Sequence, residues 1–558
     1  MIAIHPQYLP LSKLLNGRLF RIPEYQRAYS WTSKQRQDLF FDIRKTHAKG
    51  ANGGHFMAAM VCLRRGQQSL GTDDFQILEI VDGQQRMTTL IILLKSISLV
   101  LDEKDKGEFK VLTELRELLV KAEADALLLL QTNHDSSHHF AKFLRQGIHS
   151  PSAEAKTIAD RELLKAMEDC AEFVAGWKES ENLSTLVALL KNRLYFLLHE
   201  IEDEQSVYSV FEVLNSRGLD VSWLDRLKSI LMGAAFELEA ANKVEVIDEL
   251  HRTWRDIYYC IGLRQGMSTE ALRFAATLST KVAPNRPLGE EDSVNELRSQ
   301  AGSAAEILRA ANWLLNVTQA CNNVTANPRL HAVTRIAQAR LLAVAIHLRN
   351  DIGEKDRKKL LLRWEKVSFR IYGMLGNDAR TQVGNYVRLA WRIVNEKLDV
   401  KAIDSAIGEI GQEFPIEDAV DALRVTNCYD GWEGELRYFF FRYEEYLAKQ
   451  SGLNFSNEQW EKIWLVSPSE SIEHIWPQSK ATESAKHRIG NLVLLPPRLN
   501  SKLQADDPKD KMAAYRQTGL LIAGEVVSHF EAHKKWNAKV IAEREEALIN
   551  WALTEWAD

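Results

Sequence analysis

The chain lacks several features that would place a protein in a familiar class at once. Its five cysteines stand singly, with no Cys-x-x-Cys pair, which argues against a common zinc ribbon and for reduced thiols in the cytosol. No uncharged apolar run approaches the roughly 18 residues of a membrane helix, because Lys95 interrupts TTLIILLKSISLVL. The start, MIAIHPQYLPLSK, has neither the basic residues nor the apolar core of a signal peptide. We therefore expect a cytoplasmic protein that does not enter membranes.

A strong charge of either sign is also missing. The chain has 71 Lys and Arg against 76 Asp and Glu, a formal net charge of −5, which does not suggest a general polyanion binder. Any nucleic-acid surface must then be local, and two segments are suitable. Residues 12–36 carry six basic residues against one acid, and residues 474–516 carry eight against four.

The length of 558 residues exceeds what one hydrophobic core usually organises. Near the start, HFMAAMVCLRR and DFQILEIV are β-prone runs joined by the polar GQQSLGTDD, which predicts an antiparallel strand pair. From about 100 to 235 a 3.6-residue apolar period predicts helices, among them LTELRELLVKAEADALLLL and LSTLVALLKNRLYFLLHEI. The fold class predicted is α+β and predominantly helical.

Three domains are predicted from the changes in pattern along the chain. Residues 1–235 mix strands and helices, residues 236–450 are almost entirely helical, and residues 451–558 return to two strands followed by helices. No linker rich in Pro, Gly or Ser separates them, so we expect the domains to pack tightly.

The last domain contains a constellation suited to phosphodiester cleavage. SIEHIWPQS ends an extended stretch with Glu473 and His474, and Asn491 and Asn500 follow in HRIGNLVLLPPRLNSKL. A strand histidine can deprotonate water, and a facing asparagine can fix its imidazole by a hydrogen bond. The acid and the last asparagine offer oxygen atoms to Mg²⁺, and Lys511, further along, could meet a phosphate.

These residues resemble the HNH, or His-Me finger, nuclease motif in the variant that closes the GmrSD-type modification-dependent restriction endonucleases. IEHIWP, IGNLVLL and the later N-x-K-L…K…Y match that family's order over roughly 455–520. The resemblance implies a ββα-metal nuclease domain that uses Mg²⁺ or Mn²⁺. It implies His474 as general base, Asn491 as its orienter, Asn500 and Glu473 as metal ligands, and Lys502 and Lys511 as phosphate contacts. Many HNH enzymes have Asp where this chain has Glu473.

Three polar islands near the start suggest a second site. In RIPEYQRAYSWTSKQ, Gln26 and Arg27 lie among aromatics that include Tyr25, and an arginine beside aromatic rings is a good receptor for a nucleotide. In LEIVDGQQRMTTL a β-prone run meets a helix, whose first N–H groups favour phosphate. The third island, LNSRG, contains Asn215 and Arg217.

The middle island supplies groups for nucleotide binding. Gly83 permits a positive φ or a close backbone approach. Gln84 and Gln85 can each donate and accept hydrogen bonds with a base edge, a ribose or an attacking water. Arg86 would neutralise phosphate, and Asp82 would bind a metal or orient that water. The three islands together resemble the ParB/sulfiredoxin-like N-terminal domain of the same family, over about 10–235, which implies that this domain binds or hydrolyses GTP or another NTP.

The resemblance implies a nucleotide-regulated endonuclease that acts on modified double-stranded phage DNA. The mark could be a hypermodified cytosine or a phosphorothioate linkage, and a homodimer is compatible with the sequence. Two alternatives stay open: a toxin-like nuclease acting on RNA or host DNA, and a non-catalytic nucleotide-dependent DNA-binding module. The intact His474, Asn491 and Asn500 argue against the second alternative.

Overall fold

The chain forms two compact units. The computed structural model describes residues 5–23, 26, 28–50, 53–121, 126–131, 137–202, 222–264, 266–333, 335–453, 455 and 457–557. The N-terminal unit contains Met1–Ala276 and Gly289–Thr318, and the C-terminal unit contains Thr277–Leu288 and Gln319–Asp558. The three-domain division drawn from the sequence stays a prediction.

A mixed sheet organises the N-terminal unit. Its six strands lie in the order β1-β8-β3-β4-β2-β7, and a separate two-stranded sheet pairs β5 with β6. The β2–β4, β2–β7 and β3–β8 pairs are parallel, and the other pairs are antiparallel. The strands are β1 His5–Pro10, β2 Arg18–Ile22, β3 His55–Leu70, β4 Asp73–Asp82, β5 Val120–Lys121, β6 Ala126–Leu127, β7 Leu129–Gln131 and β8 Leu194–Ile201.

The predicted antiparallel pair is confirmed, with longer strands than expected. Strands β3 and β4 face each other with Leu63 opposite Glu79. The sequence GQQSLGTDD, expected to be a loop, is mostly strand, and the turn is confined to Gly71 and Thr72. The register shifts near Gly66, whose φ of 118° accommodates a bulge.

Two segments predicted as helix are strands. The segment LYFLLHEI forms β8, an interior strand whose buried residues Leu194, Phe196 and Leu198 alternate with half-buried ones. This alternation has the period of two that one face of a sheet requires. The helix predicted across LTELRELLVKAEADALLLL ends at Leu119, and the short strands β5, β6 and β7 follow. Pairing with distant strands decides the conformation of β7 and β8, because leucine suits both kinds of structure.

Helices cover the sheet of the N-terminal unit, and one of them is central. Helix α3 starts immediately after β4, as predicted, and nearly all of its residues are buried, including the run from Leu90 to Leu94. Among the described residues, the first nine helices are α1 Leu11–Leu15, α2 Ser33–Ala48, α3 Gln84–Val100, α4 Lys106–Leu119, α5 Ser137–Gln146, α6 Ile158–Lys178, α7 Leu183–Arg193, α8 Trp223–Phe236 and α9 Ala240–Ile261.

The helical middle of the chain is confirmed. The described part of this stretch contains ten more helices: α10 Met267–Ser279, α11 Glu290–Ser299, α12 Ala304–Ala326, α13 Pro328–Val333, α14 Ala337–Leu348, α15 Glu354–Ser368, α16 Val383–Asn395, α17 Val400–Gly411, α18 Ile416–Val425 and α19 Glu433–Ser451. A π-helical turn, Phe369–Met374, continues α15.

Two short strands lie among the last helices. They are β9 Ile472–His474 and β10 Leu492–Leu494, and the helices are α20 Asn457–Trp464, α21 Pro468–Ser471, α22 Pro497–Leu503, α23 Pro508–Gln517, α24 Leu521–His533 and α25 Ala538–Glu555. The architecture is α+β and predominantly helical, as predicted. Within the described ranges, every helix is too short or too polar to cross a membrane.

Candidate functional site

The C-terminal unit places His474 at the end of a small strand pair. Strands β9 and β10 are antiparallel, with Leu492 opposite His474. A turn of 3-10 helix, Ile489–Asn491, leads into β10, and α22 follows closely. The order along the chain is therefore strand, strand, helix.

Gly490 allows helix α25 to lie directly against this strand pair. A Cβ atom at this position would overlap the carbonyl oxygen of Ile541. The buried guanidinium of Arg544, from the same helix, donates to the carbonyls of Gly490 (3.1 Å) and Leu492 (2.7 Å). The glycine of the IGN sequence therefore serves packing, which fixes the backbone beside the site.

Polar groups lie at both ring nitrogens of His474, a residue only 6% exposed. Its Nε2 lies 3.1 Å from Nδ1 of His487, and its Nδ1 lies 3.3 Å from the amide nitrogen of Gln478. The other ring nitrogen of His487, Nε2, lies 3.8 Å from a carboxylate oxygen of Asp430. We call these four residues, Gln478, His474, His487 and Asp430, the histidine chain.

Burial keeps both imidazoles of the histidine chain uncharged. It lowers the pKa of His474 to about 3, and the neighbouring His487 contributes in the same direction. The pKa of His487 is also lowered, mainly by burial, and Asp430 partly offsets that effect. At neutral pH His474 is therefore a neutral ring with a lone pair on one nitrogen, which is the form that a general base requires.

The turn between α18 and α19 positions the far end of the histidine chain. The side-chain oxygen of Asn427 accepts the N–H groups of Tyr429 and Asp430, each at 3.0 Å, and its amide nitrogen donates to Asp430 Oδ2 at 3.0 Å. The Tyr429 ring stacks on His487 with centroids 5.1 Å apart, and it meets His474 edge-on at 4.6 Å. Both histidine rings therefore rest against one ordered turn.

Sequence analysis missed three members of the histidine chain. His487 opens the segment HRIGNLVLL, so a second histidine close to the Asn491 motif was a usable signal. Gln478 directly follows Pro477 in SIEHIWPQS. Asp430 offered no signal, because it lies far earlier in the chain and reaches the site through tertiary packing alone.

Asn491 does not orient the imidazole as predicted. Its oxygen accepts the backbone N–H of Trp476 (2.8 Å) and the indole N–H of Trp536 (3.2 Å). Its amide nitrogen donates to the carbonyls of Trp476 and Lys486, each at 3.0 Å. An amide has two donor hydrogens and two acceptor lone pairs, so these four bonds use the whole side chain. Asn491 instead closes the loop from Trp476 to Lys486, which carries Gln478.

Glu473 and Lys511 form a buried pair instead of a metal ligand and a phosphate contact. The Lys511 ammonium lies 2.6 Å from the Glu473 carboxylate and donates to the carbonyl of His474 at 2.8 Å. Tyr515 donates to the same carboxylate at 3.3 Å. Burial raises the pKa of Glu473, and Lys511 partly offsets that effect. Neighbouring residues of a strand point to opposite faces, so Glu473 turns away from His474, and the fully buried Lys511 cannot reach DNA.

Asn500 and Lys502 lie on α22. The amide nitrogen of Asn500 donates to the carbonyls of Glu470 (2.9 Å) and Ile472 (3.1 Å), which ties α22 to the start of β9. Its amide oxygen is the atom left for a metal. Lys502 is exposed, so of the two predicted phosphate contacts it is the one that reaches solvent.

A cavity of about 730 Å³ lies beside α22. Its wall is cationic and apolar, and Leu465, one of its lining residues, is 84% exposed. Arg498 and Lys502 are also exposed. Helices α20, α22 and α23 contribute to the lining, with Lys462, Leu465, Pro497, Arg498, Lys502 and Gln517 among its residues.

The predicted metal ligands do not fit Mg²⁺ or Mn²⁺ as a pair. Glu473 is committed to Lys511, on the face of β9 opposite His474, while Asn500 holds the beginning of that strand. Throughout the described residues, no three His, Cys, Asp or Glu side chains form a group that could hold a metal ion. Of the two predicted ligands, Asn500 is the one whose oxygen atom is left for a metal, while Glu473 is paired with Lys511 in this structure.

In the N-terminal unit, two residues predicted to contact the nucleotide, Gln26 and Gln85, form hydrogen bonds with backbone groups instead. Gln26 donates to the carbonyl of Val81 at 2.7 Å. Gln85 accepts the N–H of Ser30 at 2.8 Å and donates to the carbonyl of Ala28 at 3.1 Å. These side chains tie Gln26, Ala28 and Ser30 to β4 and α3, so they are not turned towards a base or a water as predicted. Gln84 is also buried.

The other residues of the middle polar island, LEIVDGQQRMTTL, include Arg86, a half-buried cation at the start of α3. Gly83 has a φ of 97°, which confirms the expected positive value. The Arg86 guanidinium lies 5.6 Å from the ring centre of Trp31. Burial lowers the pKa of Arg86, and Asp82 partly offsets that effect. Four predicted contacts lie outside the described residues: Tyr25, Arg27, Asn215 and Arg217.

Two protein-family models match the chain. The model described as GmrSD restriction endonuclease, N-terminal domain, matches residues 11–232, and the model for the C-terminal domain of the same enzymes matches residues 415–551. The second match begins well before the motif at His474 and includes Asp430. A search of curated proteins finds no match.

The two matches define the class as restriction endonucleases, enzymes that hydrolyse DNA. They occur in chain order and together cover well over half of the sequence. The chain belongs to the GmrSD restriction endonuclease family.

Proposed function

We propose that this restriction endonuclease cleaves modified foreign double-stranded DNA in the cytoplasm, with His474 as general base and with regulation by a nucleotide. The observation that carries the catalytic part is the buried, uncharged His474 imidazole, held at both nitrogens within the domain matched to the family. Phage DNA whose bases or backbone linkages are modified is the proposed target, and the enzyme acts as a monomer or a homodimer.

The proposed reaction is hydrolysis of one phosphodiester bond. A water oxygen attacks phosphorus while His474 takes the water proton. The bond to the 3′ oxygen breaks, and that oxygen takes up a proton, which leaves a 5′-phosphate and a 3′-hydroxyl. A base works best with a pKa near the working pH. The negative charge of bound DNA favours the imidazolium and therefore raises the low pKa of His474.

The cationic cavity wall is the proposed path of the DNA backbone. Arg498 and Lys502 are exposed, and they lie on the helix that Asn500 attaches to the start of β9. Exposed cations of this kind bind phosphates with an affinity that falls as salt rises. Lys502 therefore keeps its proposed role, whereas Lys511 belongs to the interior.

The substrate can be tested by digesting modified phage DNA, unmodified plasmid and total RNA side by side. Genomes with hypermodified cytosine and with phosphorothioate linkages are separate arms. We expect cleavage of a modified DNA in Mg²⁺ or Mn²⁺ and loss of cleavage in excess EDTA, because the family motif implies a hard cation. Degradation of RNA with every DNA intact would contradict the proposal and favour a toxin-like nuclease. Undiminished DNA cleavage in excess EDTA would show that the reaction needs no metal ion.

A nucleotide site at the start of α3 is the regulatory part of the proposal. Asp82, Gly83 and Arg86 surround the first turn of this helix, where N–H groups favour a phosphate. Arg86 is a half-buried cation whose charged form is penalised by burial. A phosphate beside it would relieve that penalty.

Replacing Arg86 by alanine tests this site. We expect NTP turnover to need about 10- to 100-fold more nucleotide, because a charge-assisted phosphate contact contributes about 1.5–3 kcal/mol. The dependence of DNA cleavage on GTP or ATP should shift in parallel. Arg44→Ala is the matched control, since Arg44 also lies over an aromatic ring, that of Trp177, in the same unit. If the rate of DNA cleavage does not depend on nucleotide concentration in either wild type or Arg86→Ala, the nucleotide site does not regulate the nuclease.

A further inference from the structure

The direction of the hydrogen bonds in the histidine chain can be deduced from its Gln478 end. The amide nitrogen of Gln478 is a donor only, so the Nδ1 of His474 beside it must accept. A neutral imidazole carries its single proton on the other nitrogen. Nε2 of His474 therefore donates to Nδ1 of His487.

The Asp430 end favours the same direction through a charge contact that is longer than a hydrogen bond. An ionised carboxylate only accepts, so it favours a proton on the nearest nitrogen of His487, which is Nε2 at 3.8 Å. Nδ1 of a neutral His487 is then left with a lone pair, and this lone pair faces Nε2 of His474. The Gln478 end and the Asp430 end of the histidine chain thus favour the same tautomer of each histidine.

We propose that His487 is a positioning residue that keeps the proton of His474 on Nε2 and so reserves Nδ1 for the attacking water. This inference rests on the proposed function of His474. His487 touches neither water nor DNA in this scheme and acts through the tautomer of its neighbour, which a general base depends on.

His487 is held on three sides, as this role requires. Its ring stacks almost parallel to that of Tyr429, with an interplanar angle of 5°. Its carbonyl accepts the N–H of Cys428 at 3.0 Å. The preceding residue, Lys486, is bound through its carbonyl to the saturated amide of Asn491. The imidazole of His487 therefore has little freedom to turn its acceptor away from His474.

Gln478 marks the place of the water. Its N–H group points at Nδ1 of His474 from 3.3 Å, and a water molecule about to be deprotonated would present its O–H group to that same nitrogen. Gln478 sits on the loop just after Pro477, so a change in this loop when DNA binds would exchange the amide for water. The basic nitrogen is thus occupied by a donor before the substrate arrives.

Two substitutions of His487 separate positioning from packing. His487→Phe keeps a ring against Tyr429 and removes the acceptor, and His487→Asn removes the ring and keeps an acceptor oxygen near the position of Nδ1. We expect His487→Phe to lower kcat by about tenfold, the order of one hydrogen bond, with KM for DNA unchanged. His487→Asn should recover most of kcat although it loses the stack.

His533→Phe, at the end of α24, is the matched control and should cleave as wild type does. A wild-type kcat for a folded His487→Phe protein would overturn the inference. So would an equal loss of kcat in His487→Phe and His487→Asn, because that result would assign His487 a packing role. Both results require that wild type cleaves DNA and that His474→Ala does not. If wild type fails to cleave, or if His474→Ala cleaves fully, the proposed function fails first.

Discussion

Replacing His474 by alanine is expected to lower DNA cleavage by about 10²–10⁴-fold, the usual contribution of a general base. The imidazole is the neutral group in the site with a lone pair available to water, since its pKa lies far below neutrality. Phage protection should be lost together with cleavage. NTP turnover should persist, because the proposed nucleotide site belongs to the N-terminal unit.

The His474→Ala experiment needs a volume-matched companion, because His474 is nearly buried. His474→Gln keeps most of the side-chain volume and hydrogen-bonding capacity but cannot accept a proton at neutral pH. Both variants should be inactive at a melting temperature close to that of wild type. Full cleavage by either folded variant would show that another group activates water.

Local patterns were enough to predict part of the fold. Strands β3 and β4 are β-prone runs with a polar connection, and Asp82 and Gly83 mark the change from strand to helix. Strand β8 was missed because it follows α7 with no Gly or Pro between them, and its leucines suit a helix equally well. Its neighbours β1 and β3 lie far away in sequence, and they determine its conformation.

In the candidate site, too, local sequence patterns predict some residues, and tertiary packing alone brings in the others. His474 could be predicted because its motif is short and contiguous, whereas Asp430 joins it only through folding. Glu473 is paired with Lys511 on the face of β9 opposite His474, and only the alternation of side chains along a strand was readable from the sequence. The burial of Lys511 was not foreseeable, because lysine is rarely buried unless it has a partner.

Lys511 is expected to stabilise the folded protein, and its replacement should lower the free energy of unfolding strongly. Lys511→Ala leaves the Glu473 carboxylate buried without its cation, since Tyr515 alone would remain as a side-chain donor. Breaking a buried ion pair in this way costs roughly 3–5 kcal/mol. The free energy of unfolding, measured by urea titration with tryptophan fluorescence, should fall by that amount.

A double replacement separates charge from shape. Glu473→Leu with Lys511→Met removes both charges and keeps similar volumes, so it should recover most of the lost free energy of unfolding. Lys502→Ala is the matched control: an exposed lysine of the same region should change stability by less than about 0.5 kcal/mol and weaken DNA binding instead. The opposite pattern, with Lys511→Ala unfolding like wild type but binding DNA poorly, would return Lys511 to the DNA surface. The assignment of Glu473 as the buried partner of Lys511 would then fall as well.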